Sequence, residues 1–293
     1  MRPRLTVNQR RVNAVSEAFK SIGLNAVLKL EEEDPQFKAA LRLKEAVDIN
    51  VCCTLMCLNA TISYMLTSTG EEYWNEFVDY VLKRRFKVGS AEEVYALMVS
   101  FLQECKGNRL FKPAKFKRLS LMRSSGFVGK VYSGYEGYAY NLEGLRRDLA
   151  SALMVDASLK TVVFAVKMFY YAFRAATGKR IQVPFSIPIP VDRRISRITV
   201  LSGMVGAPQP LSTLIERLVR RREIAQMAWS RVGVCSGIPP LNLDAPLWLL
   251  GGVVRDVGQV ELGVKALYGL WRGYVDYASV NNLVRELLRK TDG

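Results

Sequence analysis

The sequence predicts an all-α fold, on three observations. Apolar residues recur three and four positions apart through most of the chain. No stretch alternates apolar and polar residues as a half-buried strand does, and no internal repeat appears. Helix-starting and helix-stopping residues, among them Asp34-Pro35 and Asn141, punctuate these runs.

Residues 7–30 place Val12, Val15, Phe19 and Ile22 at helical spacing, following a charged opening, Met1-Arg2-Pro3-Arg4, that is no secretory signal. Glu31-Glu32-Glu33-Asp34-Pro35 ends that helix, and another starts at about Gln36, since proline suits a first helical turn. Residues 41–66 are apolar nearly all round and predict a buried helix that Gly70 stops. The uncharged run 49–70 carries too many Asn, Thr and Ser residues to span a membrane. Residues 71–77 open an amphipathic segment, and 91–102 repeat the pattern with Val94, Leu97, Met98, Phe101 and Leu102.

From Cys105 to Tyr135 there is no acidic residue. Lysines and arginines alternate there with Phe111, Phe116, Phe127, Tyr132 and Tyr135. Such a run suits either a track for a phosphate backbone or a solvated helix face. The serine- and glycine-rich part after Ser124 predicts a long loop. Asn141 caps a helix with Leu142, Leu145, Leu149 and Leu153 on one face. A turn over residues 155–159 joins it to a helix over 161–177 with Ser158 as N-cap, making a helix-turn-helix unit. The proline-studded segment 183–190 is extended. Further helices are expected over 211–229 and 279–290, with a loop over 236–244 feeding a short apolar helix through Trp248.

Composition narrows the chemistry. The net charge of +15 favours a polyanionic partner, nucleic acid above all. With no histidine in 293 residues, every Ser-His, Cys-His and zinc-histidine mechanism is excluded. The five cysteines, an odd number, fit a reducing cytoplasm. Cys52, Cys53 and Cys57 lie in an apolar helical run and are expected to pack as small hydrophobes, with no metal and no cofactor.

Lysine and carboxylate chemistry remains. Lys160 opens a helix, and Phe164 one turn on shares its side. Lys167 also shares that side and competes for the nucleophile role, but sits mid-helix, where it suits a phosphate or an internal carboxylate. Asp192 follows the rigid 183–190 segment and precedes Arg193-Arg194-Ile195, a place suited to an N-cap whose carboxylate could also steady positive charge. Asp244 and Trp248 repeat the four-residue spacing at another helix opening. Aromatic planes such as Phe164 and Trp248 are core residues in most settings, yet two from different helices could hold a flipped base.

Several blocks resemble the archaeal 8-oxoguanine DNA glycosylases, a divergent branch of the helix-hairpin-helix glycosylases. They are Asp34-Pro35-Gln36-Phe37, residues 58–64, residues 70–74, Ile187-Pro188-Ile189-Pro190-Val191-Asp192-Arg193 and residues 237–248. The most specific is Lys160-Thr161-Val162-Val163-Phe164-Ala165-Val166-Lys167-Met168. The resemblance implies two helical subdomains with a helix-hairpin-helix element and the active site in the cleft between them. The expected division is 1–68 with 155–293, carrying the catalytic pair, against 69–154, carrying a basic loop-rich insertion. By the same resemblance Lys160 is the nucleophile and Asp192 the catalytic carboxylate. Phe164 and Trp248 stack on the oxidised base, Gln36 and Asp244 bond its edge, and Trp74 and Phe101 line the site. The partner implied is DNA containing oxidised guanine, met by a monomer away from any membrane. Two departures stand out. The hairpin lacks the usual glycines, and residues 87–140 match the family poorly. The competing readings are a helix-hairpin-helix module that only binds DNA, and a monofunctional glycosylase for another base.

Overall fold

Helix-forming spacing becomes helix almost everywhere in the structure, a computed structural model that describes residues 3–84 and 88–289. The chain divides into two compact units: residues 35–182 form one, and residues 1–34 with 183–293 form the other. This differs from the division expected above, because residues 35–68 and 155–182 pack within the first of these. The helix Ile49–Ile62 buries all twelve residues from Val51 to Ile62, and Lys160–Thr177 buries fourteen. Two helices apolar on nearly every side can satisfy each other, and they pack together at the centre of the unit. Around them lie Pro35–Leu43, Gly70–Arg84, Ala91–Glu104, Lys112–Ser124, Phe127–Ala139 and Leu142–Leu153.

The long loop expected after Ser124 is instead the helix Phe127–Ala139. Gly126, at φ +75°, ends the preceding helix and caps this one. Phe127, Val128, Val131 and Ala139 are buried, and the helix packs on Ile49–Ile62. Tertiary burial thus outweighs the glycine penalty of roughly 1 kcal/mol per residue. Gly134 leaves helical geometry (φ −106°, ψ 18°) and kinks the helix. The helix expected over 41–66 is divided into Pro35–Leu43 and Ile49–Ile62, and Gly70 starts the next helix rather than stopping this one.

The second unit consists of Gln9–Ile22, Leu24–Glu31, Arg193–Leu201, Leu211–Arg220, Arg222–Ser236, Pro240–Val253, Val260–Trp271 and Tyr277–Leu287. Gly23 at φ +78° splits the helix expected over 7–30, and Arg221 (φ −112°, ψ 52°) splits that expected over 211–229. Residues 1–2 of the charged opening and Lys290, the end of the last expected helix, lie outside the described residues. One strand pair has no signal in the sequence: Thr6–Val7 runs antiparallel to Val205–Gly206, two residues each and too short to alternate visibly. Two buried indole groups are met internally. Trp229 Nε1 donates to Thr199 Oγ1 at 2.8 Å, and Trp271 Nε1 donates to the Ala26 carbonyl at 2.8 Å.

Gly233 lets the helix Arg222–Ser236 close tightly on the segment that follows it. A Cβ there would lie 2.9 Å from the Ile238 carbonyl oxygen and 3.0 Å from the Pro240 ring, neither of which can rotate away. Alanine is the better helix former by about 1 kcal/mol. Gly233→Ala is nevertheless expected to destabilise the chain by about 1–2 kcal/mol through overpacking, read as a lower urea midpoint.

Cys52, Cys53, Cys57 and Cys105 are buried and only Cys235 is exposed. Burial pushes the Cys52, Cys57 and Cys105 thiols up to about 12, and raises Cys53 as well. A thiol reagent at pH 8 is therefore expected to label Cys235 in the native chain, and all five cysteines only after denaturation. Early labelling of the Cys52–Cys57 group would contradict the packing described. No cluster able to hold a metal ion, and no helix long and apolar enough to cross a membrane, occurs among the described residues.

Candidate active site

The turn before Lys160 is built locally. Met154 takes a left-handed conformation (φ 53°) at the end of Leu142–Leu153. Asp156 Oδ1 accepts from the Ser158 amide at 2.6 Å, and the Leu159 amide donates to the Asp156 carbonyl at 3.0 Å. The N-cap falls one residue later than expected, after Ser158. Leu159 holds the N-cap position without a side-chain bond, and the helix begins at Lys160 itself.

Lys160 is half-buried, with its Nζ 5.6 Å from the centre of the Phe164 ring. Its rival Lys167 is only 1% exposed and lies 4.9 Å from the Tyr171 ring. The two amines share a helix face but not an environment. Phe164 is the partly exposed end of a chain of rings: Trp74 meets it edge-on at 6.2 Å, Phe77 meets Trp74 at 5.9 Å, and Phe101 meets Phe77 at 5.1 Å. Phe101 is therefore deep in the unit, packed also on Tyr73 and Tyr80. Gln36 is buried on Pro35–Leu43, a helix that packs on Lys160–Thr177 through contacts such as Phe37 with Tyr171 at 5.2 Å.

The basic run contributes inwardly as well as outwardly. Arg118 donates to Thr161 Oγ1 at 2.8 Å and to the Thr61 carbonyl at 3.0 Å, tying the first turn of the Lys160 helix to the end of Ile49–Ile62. Lys115 is fully buried, bonded to Asn108 Oδ1 and set 4.7 Å from the Tyr64 ring. Burial lowers its amine to about 8. Neither residue is the simple solvated or phosphate-tracking cation that the sequence pattern offered.

Asp192, Asp244 and Trp248 belong to the other unit. Asp192 is the N-cap expected: its Oδ1 accepts from the Ile195 amide at 2.9 Å, which fixes the carboxylate at the mouth of Arg193–Leu201. The preceding residues 187–191 are buried, so the approach is anchored by packing as well as by proline. Asp244 is buried and Trp248 half-buried on Pro240–Val253. Nearby Asn242 donates to Glu31 Oε1 at 2.8 Å, holding that helix against Leu24–Glu31. Arg194 places its guanidinium 4.0 Å above the Trp248 ring. Neither this stacking nor the Arg118 anchor is visible in the sequence, because both pair residues far apart in the chain.

One unit thus carries a half-buried amine beside an aromatic edge, and the other carries a carboxylate fixed at a helix mouth and a second aromatic plane covered by Arg194. An amine can add to an electrophilic carbon and a carboxylate can offset developing positive charge.

Known proteins carry similar sequences. The profile of a family described as "AGOG: N-glycosylase/DNA lyase" matches residues 16–280. A protein of Methanopyrus kandleri named N-glycosylase/DNA lyase is 34% identical over 251 residues, spanning 85% of this chain and 93% of its own. One of that name from Aeropyrum pernix is 32% identical over 290 residues and 97% of each chain. Among solved structures, the 8-oxoguanosine complex of Pa-AGOG, an 8-oxoguanine DNA glycosylase from Pyrobaculum aerophilum, is similar with a TM-score of 0.74. It is 31% identical and covers 91% of this chain and 98% of its own.

Proposed function

Since the chain belongs to the AGOG family of N-glycosylase/DNA lyases, we propose that it excises 8-oxoguanine from DNA with Lys160 as nucleophile and Asp192 as charge-stabilising carboxylate. The observation that carries the assignment is the contrast between the two candidate amines. Lys160 is half-buried at a helix mouth beside Phe164, whereas Lys167 is 1% exposed.

The basic chain binds duplex DNA as a monomer, in the cytoplasm with the chromosome, and the damaged nucleotide leaves the stack. Phe164 and Trp248 stack on the base, and Trp74 and Phe101 back the Phe164 side. Oxidation of guanine turns N7 into a donor, so an acceptor on Gln36 or Asp244 separates lesion from guanine. Lys167 serves that pocket from the interior. The unprotonated Lys160 amine attacks C1′, the glycosidic bond breaks and the base departs, while Asp192 offsets positive charge on the sugar. Loss of a proton from nitrogen and ring opening give an imine between Lys160 and C1′. Removal of a C2′ proton then expels the 3′ phosphate by β-elimination.

Incubation with duplexes carrying 8-oxoguanine, uracil or hypoxanthine tests the substrate. Release of 8-oxoguanine with strand cleavage is expected. Release of another base alone, or base loss with an intact strand, would overturn the proposal.

A further inference from the structure

Four arginines crowd the end of the unit that carries Asp192. Arg193, Arg194 and Arg197 lie on Arg193–Leu201, and Arg255 lies just beyond Pro240–Val253. Gly251 allows the approach, since a Cβ there would sit 3.0 Å from the Arg194 Cβ. Arg197 donates from one terminal nitrogen to the carbonyls of Gly251 (3.3 Å) and Val254 (3.4 Å). Arg255 donates from one terminal nitrogen to those of Gly251 (3.1 Å), Gly252 (3.0 Å) and Val254 (3.0 Å). Two cations therefore converge on the same carbonyls. Capping the helix explains one of them, but not both, nor their neighbours.

Two nearby carboxylates are engaged by backbone amides, and a third pairs only with the outermost arginine. Asp192 accepts from the Ile195 amide, Asp256 accepts from the Gly258 amide at 2.8 Å, and Glu216 pairs with Arg193 at 2.6 Å with both side chains exposed. Among the described residues no carboxylate forms an ion pair with Arg197 or Arg255. Burial first, then the charges of Arg255, Arg194 and Arg193, lower the Arg197 guanidinium below its ordinary range against the pull of Asp192. Each guanidinium has five N–H donors, and Arg197 and Arg255 use only one nitrogen apiece. The remaining donors suit the oxygens of a phosphate, which guanidinium groups match better than a carbonyl does. The positive end of the Arg193–Leu201 helix adds to the attraction.

We propose that Arg193, Arg194, Arg197 and Arg255 form a binding site for a backbone phosphate of the DNA strand that holds the target nucleotide. Naming the phosphate as DNA rests on the function proposed above. The site lies on the helix that Asp192 caps, so the phosphate held is one close to the sugar under attack. Arg194 bridges this site to Trp248, giving one element that registers both the backbone and the base-stacking plane.

The test is the salt dependence of binding by the full chain to an undamaged duplex, with Arg193→Gln, Arg255→Gln and the exposed control Lys265→Gln. Each arginine variant is expected to reduce the slope of log affinity against log salt by about 0.9, or about eightfold weaker binding at about 0.1 M salt if the lines meet near 1 M. The loss should be equal on undamaged and 8-oxoguanine duplexes. Lys265→Gln should leave the slope as in the parent chain. Slopes unchanged in the arginine variants, or an equal fall in Lys265→Gln, overturns the proposal. Arg255 also caps a helix. If its variant melts early, Arg193→Gln decides, since Arg193 makes an exposed pair with Glu216. Binding to undamaged DNA is read without base release, so a failure to excise 8-oxoguanine sinks the substrate reading and not the phosphate site.

Discussion

Lys160→Gln is expected to remove strand cleavage and to slow base release by at least about a thousandfold, roughly 4 kcal/mol of barrier. Glutamine keeps most of the length of lysine but has no basic nitrogen to add to C1′. The change should leave the fold alone, because Lys160 is only half-buried, with its Nζ 5.6 Å from the Phe164 ring centre. Lys167→Gln offers the opposite profile. That side chain is 1% exposed in a packed helix, so its loss is expected to cost stability while imine formation persists. Single-turnover rates and melting curves on the two variants separate these outcomes. Cleavage retained in Lys160→Gln would remove the nucleophile assignment.

Asp192→Asn is expected to lower the single-turnover rate by about a hundred- to a thousandfold, with stability changed by less than about 0.5 kcal/mol. Asparagine caps a helix as well as aspartate does, so the bond now made by Asp192 Oδ1 with the Ile195 amide at 2.9 Å survives. What disappears is the negative charge opposite the sugar. Asp192→Ala should lose the cap too, about 1 kcal/mol, and so melt earlier than the asparagine variant at a similar rate. An asparagine variant as fast as the parent would reduce Asp192 to a helix cap.

Much of the fold is legible because burial imposes period. The apolar run around Val51–Ile62 and the leucine stripe of Leu142–Leu153 both form helices where the spacing places them. Failures concentrate where a rule of local chemistry meets tertiary packing. Glycines after Ser124 suggest a loop, but Phe127, Val128 and Val131 gain more from the core than the glycines lose. Gly23 interrupts an otherwise continuous pattern, since a left-handed residue leaves no trace in periodicity. Domain limits leave no local trace, because the pairing of Ile49–Ile62 with Lys160–Thr177 joins residues far apart in the chain.

At the candidate site, local roles were visible and distant pairings were not. Asp192 as N-cap follows from its neighbours, and Lys160 opening its helix follows from the turn before it. The burial of Lys115, the grip of Arg118 on Thr161 and the stacking of Arg194 on Trp248 depend on which elements meet. Charge counting treats every cation as solvated, so it cannot separate Lys115 from the exposed arginines near Asp192. The same +15 surplus therefore covers two populations, one holding the fold and one facing solvent.

Reduction with borohydride during turnover of an 8-oxoguanine duplex converts an imine to a stable amine and fixes the enzyme to its DNA. Digestion and mass analysis of that adduct should place the sugar remnant on the peptide containing Lys160. A remnant on any other lysine, or no adduct under conditions where the base is released and the strand is cut, would contradict the account.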